Sequence, residues 1–180
     1  YKFKRWAQIG KTKEDGLQKA ITEYSGLSQK FEEKTASIAN EISLNLPLFL
    51  NRFPDFNTDF DISIIHSLGE MDGGTRTIDG KLHFILGIDG IVKYHNGTTD
   101  TPFLHHELFH VYHWQFFNGD DKLWMSLWSE GLATYVSEVL NPGSSTADIM
   151  LDTPTGLVTA CENDITFLWS DIAAHLDSTD

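Results

Sequence analysis

The chain has 180 residues, 41% of them apolar and 22% charged, enough for one ordinary domain with a buried core and unlike the composition of a disordered chain. Thirteen Lys and Arg against 26 Asp and Glu give a formal charge of −13; nine of the basic and six of the acidic residues fall in residues 1–52, so the remainder is strongly acidic. Such a domain repels phosphate backbones, which excludes nucleic acid as a natural partner. No apolar run is long enough for a membrane span, and the single cysteine, Cys161, excludes an internal disulfide and a cysteine-based zinc finger.

No internal repeat or low-complexity tract divides the chain, so one domain is expected over residues 1–180. It comprises a helical N-terminal segment to about residue 52, a core over about 60–141 and a C-terminal helix over about 157–176. Residues 13–24 and about 28–50 read as two helices. Phe31, Ile38, Ile42, Leu46 and Phe49 form the apolar face of the second, and Pro47 kinks or ends it. Residues 61–65 (DISII) alternate and are β-branched, a strand. Gly73-Gly74 reads as a turn. Thr75 to Ile78 and Lys81 to Leu86 read as strands joined by Asp79-Gly80, a two-residue hairpin signal. Residues 87–97 read as loop with a short strand at Ile91–Tyr94, followed by a glycosylation-type Asn96-Gly97-Thr98 pattern. A helix then opens with Thr101 as N-cap and Pro102 at its first position, runs to about Phe117 and stops at Asn118-Gly119. Another covers about 126–140 and ends at Asn141-Pro142-Gly143. The last helix carries Cys161 among apolar residues, most simply as core. The order helices, small sheet, helices makes the fold class α+β.

The long central helix contains His106-Glu107-Leu108-Phe109-His110. Positions i and i+4 lie on one helical face, so two imidazoles can bind one Zn²⁺. Glu107 sits beside the first ligand and can act as general base toward a metal-activated water. Two histidines leave a catalytic zinc one protein ligand short. Glu130, twenty positions after His110 in Trp128-Ser129-Glu130-Gly131-Leu132-Ala133, would return as the third once a second helix folds back. Gly131 and Ala133 are small enough for close helix approach, and Trp128 is expected to hold the two helices together with Phe103, Phe109, Trp114, Phe116, Phe117 and Trp124. Other readings stay open. The motif can arise by chance on an amphipathic helix, Glu130 can be a solvated surface residue, and His113 can complete a three-histidine site. His105 points about 100° away from His106 and reads as a satisfied or capping residue. His66, His83 and His95 have no metal-ligand spacing.

His106-Glu107-x-x-His110 with a downstream Glu130-Gly131-Leu132-Ala133 resembles the gluzincin metallopeptidases over about residues 61–141. The segment is similar to the W-x-x-E-G-[FL]-A-x-Y stretch of large zinc aminopeptidases, although Trp128 stands two residues before the glutamate rather than three. The His-to-Glu spacing is similar to that of thermolysin-like enzymes, and the E-G-L-A run to small bacterial zinc-protease-like domains. The resemblance implies a zincin-like core with a mostly antiparallel sheet. It implies zinc on His106, His110 and Glu130, Glu107 as general base, and a peptide or protein as substrate. It also implies a Tyr or His that stabilises the oxyanion, for which Tyr135, Tyr112 and His175 are the candidates. An edge strand ahead of the metal helix, here Lys81 to Leu86, would bind extended substrate. Gly69-Glu70-Met71-Asp72-Gly73 is faintly similar to the amine-binding G-x-M-E-N segment of aminopeptidases, but reads better as a turn. The expected function is a zinc-dependent peptidase; the alternative is a weak or inactive gluzincin-like domain that binds zinc or peptide. No leader peptide is visible, the chain begins at Tyr1, and an exported compartment is slightly favoured over the cytoplasm.

Overall fold

The computed structural model describes residues 10, 12–95, 99–117, 119 and 121–179; the Asn96-Gly97-Thr98 pattern and Asn118 lie outside them. One helix, α1 (Lys13–Arg52), replaces the two expected over this stretch. Its buried residues Ala20, Phe31, Ile38, Asn45 and Phe49 recur at spacings that keep to one helical face throughout. Gly26 costs about 1 kcal/mol inside a helix, too little to break one whose buried stripe runs past it. Ser25 supports the same turn by donating to the Ile21 carbonyl at 2.9 Å. Pro47 lies inside the helix and does not end it.

Three strands follow: β1 (Asp61–Ile65), β2 (Gly73–Ile78) and β3 (Lys81–Gly87). Asp79 and Gly80 both have positive φ (51° and 80°), as a two-residue hairpin turn requires, and β2 and β3 pair antiparallel. β1 pairs parallel to β3 on its other side, so the sheet is mixed, in the order β1-β3-β2, rather than mostly antiparallel. This overturns the substrate-strand expectation for Lys81 to Leu86. β3 is the central strand, with its hydrogen-bonding groups engaged on both sides and Phe84, Ile85 and Leu86 buried. Gly73-Gly74 is strand, not turn, opposite Leu86 and Ile85. The reversal comes earlier, at Leu68 and Gly69, where φ is 60° and 75°.

The loop expected after β3 is helix α2 (Ile88–Tyr94), with no strand at Ile91–Tyr94. Long-range bonds decide this. Buried Asp89 in the first turn accepts the backbone N–H groups of Ser67 and Gly69 (2.6 and 2.5 Å) and the Ser67 hydroxyl (3.1 Å). Gly90 is needed for the close approach, since a Cβ there would sit 2.9 Å from the Asp72 backbone. At the far end His95 donates from Nε2 to Asp72 at 3.0 Å. Burial opposes ionisation of Asp72, but that bond, the electrostatic attraction of His95 and the backbone N–H groups of Asp72 and Gly73 together hold its carboxyl below the usual range. Asp72 thus ties the pre-hairpin turn to α2, in keeping with the structural reading of residues 69–73.

Five more helices follow among the described residues: α3 (Asp100–Phe116), α4 (Leu123–Leu140), α5 (Thr146–Met150), α6 (Leu157–Asn163) and α7 (Ile165–His175). Thr99, not Thr101, is the N-cap of α3, its amide held by Asp148 at 2.9 Å, while the Thr101 hydroxyl donates to Glu41 at 2.8 Å. The single C-terminal helix expected over 157–176 is divided at Asp164. None of the residues in α6 and α7 is buried, and Cys161 is half-buried rather than core. Among the described residues, seven helices and one small mixed sheet make the fold α+β. No helix among them is long and apolar enough to cross a membrane.

The described residues group into two compact units. One takes in those of Tyr1–Asn40 and Asp59–Asn96, with the sheet and α2; the other takes in those of Glu41–Thr58 and Gly97–Asp180, with α3 to α7.

Candidate metal centre

All of the candidate ligands lie in the second unit, on α3 and α4. The two helices run antiparallel, as the Ser137–Pro102 and Ser129–His110 pairs fix, and a third bond comes from the residue that caps α4. Ser137 donates to the Pro102 carbonyl at 2.7 Å, Asn141 donates to Nδ1 of His105 at 2.9 Å, and Ser129 lies 3.3 Å from Nδ1 of His110. The face of α4 turned inward is Met125, Ser129, Ala133 and Ser137, one residue per turn, with Ala133 and Ser137 fully buried. Ala133 therefore permits close packing as expected. Gly131 does not, since a Cβ there would meet nothing within 4 Å.

This packing brings His106, His110 and Glu130 together. The two Nε2 atoms are 2.9 Å apart, and Glu130 Oε2 lies 3.2 Å from the first and 3.3 Å from the second. Three ligands on one tetrahedral zinc stand roughly 3.3–3.4 Å apart, at metal–ligand distances of about 2.0–2.1 Å. The observed triangle is therefore close to one face of such a site. The electrostatics agree with the geometry. Hydrogen bonds from both histidines hold the Glu130 carboxyl well below its usual range. Burial opposes protonation of His110, but Glu130 and, more weakly, Glu107 outweigh it and raise its pKa. The carboxylate thus favours a positive charge beside the two imidazoles, and a metal ion binding there competes with protons.

Ser129 was not singled out by sequence reasoning. Its hydroxyl lies at Nδ1 of His110 and, when it accepts, fixes the proton on Nδ1 and frees Nε2 to face a metal. Its adjacency to Glu130 was the only available signal. Glu107 is buried on α3, next in sequence to the candidate ligand His106. His113 stands apart from the triad, its ring stacked on Phe109 (centroids 5.7 Å, planes 12° apart) and against Phe117. His105 is buried against Phe49; Nδ1 has its partner in Asn141, whereas Nε2 has none among the described residues.

The chain matches no family model, no curated protein and no solved structure. The site therefore rests on its own geometry.

The oxyanion candidates are placed as follows. The Tyr112 hydroxyl donates to Asp55 (3.2 Å) and its ring packs on Phe53, Phe56, Phe109 and Phe116. Tyr135 is exposed, about 140° round α4 from Glu130. His175 donates from Nδ1 to the Asp171 carbonyl of its own helix at 2.8 Å. The aromatic cluster also departs from expectation. Phe103 and Phe109 are buried, but Trp114, Phe116, Phe117, Trp124 and Trp128 are exposed, and Trp128 at 53% cannot be the clamp between the helices.

Proposed function

We propose that the chain is a zinc-dependent peptidase. The observation that carries this reading is the convergence of His106 Nε2, His110 Nε2 and Glu130 Oε2 within 3.3 Å, with a buried glutamate one residue beyond the first histidine. Two imidazoles and one carboxylate are a donor set that fits zinc and leaves a position open. Zinc in that site supplies Lewis acidity, polarising a carbonyl and making a water more acidic. The remaining work falls to the protein. Glu107, turned about 100° round α3 from His106, is too far round to join the ligands, and its carboxylate takes a proton from the attacking water. The water oxygen bonds to the peptide carbonyl carbon, the C–N bond breaks, and Glu107 returns the proton to the departing amine. Ser129 keeps His110 in the tautomer that leaves Nε2 free.

A second reading, a zinc- and peptide-binding domain without turnover, is favoured by two observations: the Tyr112 hydroxyl is held by Asp55, and His175 is engaged with its own helix. One experiment separates the two. Hydrolysis of a mixed peptide pool by the zinc-loaded wild type, falling by roughly 10²–10⁴ in Glu107→Gln with zinc retained, supports the peptidase. A zinc-loaded wild type that cleaves nothing supports the binding domain, and equal activity in the variant contradicts the role of Glu107.

A further inference from the structure

The metal-bearing stripe of α3 does not end at His110. One turn on comes Trp114, at i+8 from His106, and the C-cap residue Phe117 sets its ring against His113, at i+7 on the same side of the helix. On α4, one turn before Glu130, stands Leu127. The helices are antiparallel, so the turn after His110 and the turn before Glu130 lie in the same direction from the triad. The three side chains are solvent-exposed, Trp114 at 51%, Leu127 at 38% and Phe117 at 37%. Residues 111–117 and 123–129 contain no Asp, Glu, Lys or Arg, a gap in a chain that is 22% charged over its whole length. In the opposite direction the α3 residues Pro102 and Phe103 are buried, so on α3 the open apolar surface follows the triad rather than preceding it. Single exposed apolar side chains are ordinary; several together beside a cluster of chemical groups mark a recognition surface.

We propose that Trp114, Phe117 and Leu127 form a subsite for a large apolar side chain of the substrate peptide, next to the metal triad; this rests on the peptidase reading above. The subsite takes Phe, Leu, Tyr or Met beside the cleaved bond, and its three apolar side chains carry no charge of their own. Because the shelf is on one side, the preference falls on one flank of the bond.

The test is a binding measurement on the zinc-loaded Glu107→Gln protein, so that it does not depend on turnover. Two neutral hexapeptides are titrated by calorimetry, identical except for two central Phe in one and two central Ser in the other. The Phe peptide is expected to bind about tenfold more tightly or better. Trp114→Ala and Leu127→Ser, each added separately, are expected to remove most of that difference at unchanged zinc content. Both positions are on the surface, and two independent substitutions guard against misfolding of either. Equal binding of the two peptides, or a preference that survives both substitutions, overturns the proposal. A Phe preference without cleavage by the wild type leaves the subsite standing and overturns the peptidase reading; cleavage without the preference does the reverse.

Discussion

The Ser129 hydroxyl stands between two helices and touches the one nitrogen of His110 that faces away from Glu130. A neutral imidazole carries one N–H, and the group opposite decides which nitrogen has it. With Ser129 accepting from Nδ1, the Nε2 lone pair is held toward the triad. Removing that support leaves the ring free to rotate or to hold the wrong tautomer. Ser129→Ala is expected to weaken zinc binding by about 10–100-fold with little change in fold. Competition against a chromophoric chelator would measure this, and an unchanged affinity would remove Ser129 from the site. The motif histidines and Glu130 could be picked out in the sequence because metal ligation restricts residue type and helix geometry restricts spacing. Ser129 could not, because a serine next to a glutamate acquires its role only from the register of two helices.

That register belongs to α4 as an element. Met125, Ser129, Ala133 and Ser137 form the inward stripe, and the fully buried Ala133 lies one turn beyond Ser129. A larger side chain at that position must push the helices apart. Ala133→Leu is expected to destabilise the protein by about 1–3 kcal/mol and to weaken zinc binding together with it. Chemical denaturation of the zinc-loaded protein checks the first effect and chelator competition the second; a variant with wild-type values in both would refute the stripe. The same contrast between local and long-range information runs through the other elements. The β2–β3 hairpin was legible because Asp79-Gly80 encodes its own turn. Helix α2 was not, because Asp89 is fixed by amides twenty residues earlier in the chain. Nor did the strand pattern tell that β1 would cover the free side of β3, since alternation gives a strand its faces but not its neighbours. In sequence the aromatic residues around the motif point to packing, because large apolar side chains are most often inside. The exposure of Trp114 and Trp128 shows that composition does not decide this at a site open to solvent.

At the scale of the whole molecule, a formal charge of −13 favours cations and disfavours nucleic acid, which is compatible with a metal site but does not create one. The candidate site lies in the second unit, where two helices supply the three groups that could hold a metal ion and the glutamate next to them in sequence. The central claim is that these helices are a zinc site, and the content of metal in the purified protein tests it most directly. Elemental analysis after exhaustive dialysis should give about one zinc per chain for the wild type and for Glu107→Gln, and a marked loss for His106→Ala, His110→Ala and Glu130→Ala. Unchanged zinc in both His106→Ala and His110→Ala would contradict the account.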